Sequence, residues 1–301
     1  MPVTHLEPGE FAFYTTQSAV SDPGALARYY EALPDDPGEL ALVVRRLMIH
    51  RLEGEPFGFE IAEGRMHDDA EVRYADEILK LIVERVDAPL TTPRGYADRF
   101  VGICRDFALL LCSFLRAKGI PARIRSGFAD YFGDDGFHFD HVVTEYWDAG
   151  RGWLLADPEV TEGHVVEFDP MDVPRERFLV AGKAWQLIRA GKAEAKTFGL
   201  KLPDGDLVGE WFVAGNIRLD LSAVNKVETL LWDIWGIGAG ADGDMTDEIH
   251  DLYDLAARVA DDEVVFEAAR TLFAENAGLR TPATVLSLAP FNGPREVTLR
   301  R

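Results

Sequence analysis

The stretch Gly102-Ile103-Cys104-Arg105-Asp106-Phe107-Ala108-Leu109-Leu110-Leu111-Cys112-Ser113-Phe114-Leu115-Arg116-Ala117-Lys118-Gly119-Ile120-Pro121 decides how this chain is read. Strong helix formers run from Arg105 to Ala117, with Phe107, Leu110, Leu111 and Leu115 facing inward at helical spacing. Lys118-Gly119 supplies a basic last turn and a glycine stop, and Ile120-Pro121 forbids continuation. Cys104 follows a glycine and stands at the start of this helix. There, unpaired backbone N–H groups and the positive end of the helix dipole favour a thiolate over a thiol. The same amides, that of Cys104 included, can donate to an oxyanion forming beside the sulfur.

Downstream, Ala122 to Tyr131 reads as a strand and Phe132 to Asp140 as an acidic, Gly-rich loop. His141 to Trp147 is a second strand, Asp148-Ala149-Gly150-Arg151-Gly152 a hairpin turn, and Trp153 to Ala156 the returning strand. His141 begins one strand and Asp157 ends the next, so the two lie opposite each other at about one strand spacing, ~4.8 Å. A carboxylate so placed fixes the tautomer of an imidazole and supports its charged form. Cys104, His141 and Asp157 are therefore the candidate nucleophile, base and orienting acid. A helix followed by antiparallel strands argues for an α+β fold.

Upstream, residues 1–90 read as a mainly helical extension. Helical spacing runs from Asp22 through Ala32, from Glu39 to Leu52 and from Asp69 to Arg85, with Glu55 to Gly64 as a loop. Residues 91–170 form the expected catalytic core. Residues 171–301 read as mainly helical, with segments at Glu176–Ala190, Asn225–Ile234, Asp247–Arg258 and Asp262–Glu275. Trp185, Trp211, Phe212, Trp232 and Trp235 in this part are read as core, although they could line a pocket.

Four pieces stand in order: Gly102-Ile103-Cys104-Arg105-Asp106-Phe107-Ala108, Lys118-Gly119-Ile120-Pro121-Ala122-Arg123, His141 through Glu145, and Gly152-Trp153 through Asp157-Pro158. Together they resemble the transglutaminase-like superfamily, with its papain-like core, over roughly residues 90 to 160. The resemblance implies that Cys104 attacks a carbonyl to form a thioester, which water or an amine resolves. His141 would move the proton. Many members of the family carry a Trp two residues after the histidine; here Val143 stands there and bears on the pocket wall. A second oxyanion donor is expected shortly before the cysteine, from Tyr96 or Arg99, with Arg94 a further candidate. Asp140, Val143 and Trp153 are the candidate substrate contacts.

Of the 301 residues, 47% are hydrophobic, enough for a sizeable core. Acids outnumber bases 52 to 31, a formal net charge of −21. That field repels phosphates and argues against nucleic acid or an anionic membrane as partner. No membrane span or leader is apparent, which reads as a cytoplasmic protein. The two cysteines, eight residues apart on one helix, lie about 12 Å from each other, beyond the ~7 Å a disulfide allows. His138, Asp140 and His141 invite a metal reading, but residues three apart on an extended segment point to opposite faces. Neither metal nor cofactor is called for. The expected partner is a small-molecule or peptide acyl substrate. Asp130, Asp134, Asp135 and Asp140 could draw an amine-bearing one, although a solvated loop is the plainer reading. The rival to an enzyme is a binding or scaffold protein that keeps the fold without turnover.

Overall fold

A computed structural model describes residues 5–133, 135–203, 205–238 and 240–301, so Asp134 of the acidic loop lies outside the described residues. Its helices are α1 (Pro8–Thr15), α2 (Pro37–Leu47), α3 (Glu63–Ala70), α4 (Ala75–Arg85), α5 (Cys104–Ala117), α6 (Ala181–Arg189), α7 (Glu210–Val224), α8 (Asp247–Val259) and α9 (Phe266–Glu275). The strands are β1 (Met48–His50), β2 (Phe100–Gly102), β3 (Ala122–Ala129), β4 (His138–Asp148), β5 (Gly152–Ala156) and β6 (Phe178–Val180). They continue with β7 (Phe198–Leu200), β8 (Leu207–Val208), β9 (Asp233–Ile234), β10 (Thr284–Ala289) and β11 (Gly293–Thr298). The fold is α+β.

The central sheet runs β6-β3-β4-β7-β8, with β5 also on β4. β3, β4 and β5 are antiparallel as the hairpin chemistry predicts, with Ala122 opposite Tyr146 and Thr144 opposite Ala156. β7 pairs with the first residues of β4 and β5 with the last, so both share one edge of β4. Strands from beyond residue 170 thus complete the sheet. α5 packs against Ile124, Val142 and Tyr146 in the larger core cluster, together with α2 and α4. Thr144 Oγ1 donates to the Ala108 carbonyl at 3.0 Å and pins strand to helix.

α7 joins β3 through apolar packing on Phe128 and through ions. Arg125 binds Asp220 and Glu145, and Arg123 and Arg175 also bind Glu145, all with little or no solvent contact at Glu145 and Asp220. Three arginines around Glu145 overcome the cost of its burial and drive its carboxyl far below the usual range.

Several sequence expectations are revised. The helix expected over Asp69 to Arg85 is broken at residues 71–74. Asp69 turns inward to accept the Val101 N–H at 2.8 Å and to bind Arg85 at 2.5 Å, and the break lets Arg73 reach Asp233. The helix expected over Glu39 to Leu52 stops at Leu47, because Met48–His50 pair in parallel with Phe100–Gly102. Gly24–Ala32 is a 3₁₀ helix. No helix covers Asn225–Ile234; the helix lies just before it, as α7. Residues 213, 214, 216–224 of α7 are buried almost without interruption, so its sequence shows no polar stripe to mark a period. The mainly helical carboxy-terminal part also contains the β9-β10-β11 sheet. Among the described residues, no helix is long and apolar enough to cross a membrane.

Candidate active site

Two backbone features bring the chain to Cys104. β2 delivers Gly102, where a Cβ would come within 2.7 Å of Met48 Cε and 3.2 Å of Asp106 Cβ. A larger residue there would displace the Met48 side-chain end and crowd Asp106. Asp106 then reaches back and accepts the Ile103 N–H at 3.0 Å, closing the first turn. The first intrahelical acceptor contact is made by the Asp106 amide, so the Cys104 and Arg105 amides precede the ladder. Cys104 is 5% exposed.

His141 stands opposite Gly127 in the β3–β4 register. A Cβ at Gly127 would meet the Leu179 carbonyl oxygen at 2.2 Å, so glycine is what lets β6 close against the strand that backs the histidine. His141 Nε2 and Asp157 Oδ2 are 2.8 Å apart, both buried. Tyr131 donates its hydroxyl to the same oxygen at 2.7 Å, and the Glu159 amide donates to Asp157 Oδ1 at 3.0 Å. Burial alone would raise the Asp157 carboxyl, but His141, Tyr131 and that amide hold it below the usual value. It is a fixed carboxylate. Phe132 and Tyr131 pack edge-on to the His141 ring, with centroids at 4.8 and 6.0 Å.

Burial works against the thiolate that the helix start favours at Cys104. It raises the thiol well above its ordinary value, Glu159 and Asp140 add to that, and the Val142 N–H opposes them.

Several further groups carry no local signal in the sequence. Glu159 is 4% exposed, its Oε2 has no partner among the described residues, and burial beside Asp157 and Glu53 raises its carboxyl far above normal. Protonated, it is a donor near the thiol. Asp140 is likewise raised by burial, to about 7. His50 is held neutral, its pKa lowered to about 3 by burial, and it lies within electrostatic reach of His141. Glu53 ties this corner together, bound to Arg45 at 2.9 Å, to the His50 amide at 2.8 Å and to His164 at 2.5 Å. These residues come from separate segments, and only the Asp-Pro-Glu turn at 157–159 lay in plain view.

Other expected contacts fall elsewhere. Tyr96 stacks on Phe57, and Arg99 donates to the Arg94 and Arg45 carbonyls, so neither is directed at the thiol among the described contacts. Arg94 serves the Thr92, Val86 and Ala88 carbonyls. Trp153 lies at the turn end of the hairpin, against Trp147, Tyr14 and Arg123, several residues from the His141 end. Val143 is core, packed with Leu155, Phe178 and Val180. In the acidic loop Asp130 is bound by Arg177 and Asp135 by Lys201, which leaves Asp140 beside the sulfur. His138 stacks on Phe198, away from the His141–Asp157 pair. Both cysteines are free.

Residues 62–158 match the transglutaminase-like superfamily model, a segment that reaches further upstream than the motifs alone, through α3 and α4. The superfamily is one of cysteine-dependent enzymes. Among solved structures, a Cytophaga hutchinsonii protein provisionally described as a cysteine protease is 18% identical, with a TM-score of 0.32, over 53% of this chain and 45% of that one. Red sea bream transglutaminase is 15% identical, with a TM-score of 0.40, over 94% of this chain and 49% of that one. The chain thus spans about half the length of each. No curated protein matches it.

Proposed function

From a chain whose residues 62–158 carry a transglutaminase-like core, we propose a Cys-His-Asp enzyme that hydrolyses or transfers an amide, peptide or thioester acyl group through a thioester on Cys104. The observation that carries this reading is the 2.8 Å bond between His141 Nε2 and a carboxylate held by two further donors. With Nε2 spent on Asp157, Nδ1 is the nitrogen left to receive the Cys104 proton.

Burial raises the Cys104 thiol, so His141 acts as general base during attack rather than as half of a standing ion pair. The sulfur adds to the carbonyl carbon as its proton passes to His141, and the carbonyl oxygen takes the negative charge. The Cys104 amide, ahead of the helical ladder, is the nearest backbone donor to that oxygen. Collapse breaks the bond to the leaving group, which takes the proton back from the imidazolium. Water or an amine then attacks the thioester, with His141 again as base, and the thiol is regenerated.

The test is alkylation by iodoacetamide near neutral pH, followed by mass mapping. Rapid, selective modification of Cys104, lost in His141→Ala, supports the enzyme. Equal sluggishness at Cys104 and Cys112 would overturn it in favour of a binding protein. A panel of acyl donors with and without added amine, read by the mass of the species on Cys104, separates hydrolysis from transfer.

A further inference from the structure

Arg51 is a partly exposed arginine whose side chain binds neither a carboxylate nor a carbonyl among the described residues, whereas the buried Arg94 and Arg218 bind carbonyls. Arg45, Arg73, Arg105, Arg116, Arg123 and Arg125 each bind a carboxylate. Arg51 binds none among the described residues, although the chain carries 52 acidic side chains. Its guanidinium lies 5.8 Å from the Trp232 ring centroid and 5.5 Å from that of Phe291. Its Nε is shut off from solvent without an acceptor, and so is the Trp232 indole Nε1. Buried donors without acceptors cost roughly 1–3 kcal/mol each, so a pair of them on one stack marks a place where an acceptor belongs.

That place adjoins the nucleophile. The Arg51 amide donates to the Gly102 carbonyl at 2.9 Å, two residues before Cys104. The strongest charges felt by the guanidinium are those of the Cys104 sulfur and, after it, Asp106. Arg51, Trp232 and Phe291 all fall outside the segment 62–158 that matches the superfamily.

We propose that Arg51 and the Trp232 N–H form an anion subsite beside Cys104, which recognises a carboxylate on the acyl substrate. The inference rests on Cys104 being the nucleophile. A carboxylate suits one guanidinium and one indole N–H better than a phosphate does. A dianion would call for several cations. The two rings hold the guanidinium by cation–π contact. Arg51 is then a specificity-determining residue, and substrates bearing a carboxylate near the scissile carbonyl are favoured over their neutral counterparts.

The experiment compares second-order alkylation rates at Cys104 for iodoacetate and iodoacetamide, which differ by one carboxylate. Arg51→Gln is expected to lower the iodoacetate-to-iodoacetamide ratio about tenfold, the equivalent of ~1.4 kcal/mol. Arg51→Lys is expected to restore part of the ratio. Salt gives an independent reading on the unaltered protein. The chain's net charge of −21 repels iodoacetate, so without the subsite added salt would speed that reagent. With Arg51 dominating locally, salt slows it.

A ratio unchanged in folded Arg51→Gln would overturn the subsite. If that variant does not fold, a native iodoacetate rate that climbs with salt would do so. The two readings fail separately. A sluggish Cys104 that still prefers iodoacetate sinks the nucleophile and keeps the subsite, and a fast Cys104 indifferent to reagent charge does the reverse.

Discussion

Helix α5 carries both cysteines of the protein, one at its start and one two turns on, and their surroundings differ in kind. Cys112 is wholly buried, preceded by Leu109, Leu110 and Leu111 and followed two residues on by Phe114, and burial pushes its thiol up to about 12. Cys104 is almost as buried and its thiol is also raised, yet the charges of Glu159, Asp140, Asp157 and Arg51 act on it. On the proposed function, burial does not separate an inert thiol from a reactive one. What separates them is whether a proton acceptor and donors for the displaced charge are already in place. The helix start can have them because the chain there leaves a strand and the ladder is open. The helix middle cannot, since every polar backbone group is spent.

The widest contrast is expected from removing each sulfur. Cys104→Ala should lower turnover on any cleavable acyl donor by on the order of 10⁴-fold or more. Cys112→Ala should leave turnover within a few-fold and cost about 1–2 kcal/mol in chemical denaturation. Equal losses in the two variants would erase the distinction.

Next comes the base. His141→Ala should slow iodoacetamide at Cys104 by about 10³-fold toward the rate at Cys112, making the two sulfurs alike. Asp157→Asn should retain the ring contact but lose the charge that supports the imidazolium, for a fall in kcat near 10²-fold. Tyr131→Phe removes only one of the donors to Asp157 and should cost less than about tenfold. A ranking in which Tyr131→Phe exceeds Asp157→Asn would break the proposed hierarchy.

The smallest effects are in pH dependence. Cys112 has a thiol raised above the ordinary 9 to about 12. The stability gained by keeping it neutral is fully present below pH 9 and is lost as pH rises toward 12. Native Cys112 should thus remain unlabelled at pH 9, a point checked by mass mapping after brief alkylation. Asp140 is raised from 3.8 to about 7, so its neutral form contributes stability that is fully present below pH 3.8 and lost as pH climbs through 7. Asp140→Asn should flatten that slope and raise stability above pH 7 by roughly 2 kcal/mol, measured by melting across pH 4 to 8. An unchanged slope would remove Asp140 from the electrostatics around Cys104.

The limits of α5, the β3–β4–β5 antiparallel run and the meeting of His141 with Asp157 were legible because each depends on neighbours close in sequence. Glycine and proline stops, period-3.6 and period-2 patterns and a tight turn act over a few residues. The hairpin brings residues sixteen apart into contact without outside help. The α7 helix was not legible, because a segment surrounded on all sides by protein carries no stripe to read. Nor was the end of α2 at Leu47, since the pairing of β1 with β2 joins segments some fifty residues apart.

Sequence by itself thus determined the helix that bears Cys104, the hairpin, the α+β class and three residues of the candidate site. Tertiary structure alone decided the surroundings of the sulfur, where burial and carboxyls brought in from other elements raise the thiol. It also decided that Arg51 meets Trp232 and Phe291. No local pattern links positions separated by up to 240 residues. Local propensity acts through backbone and near neighbours, whereas a site's electrostatics are summed over whatever the folded chain brings within a few ångströms.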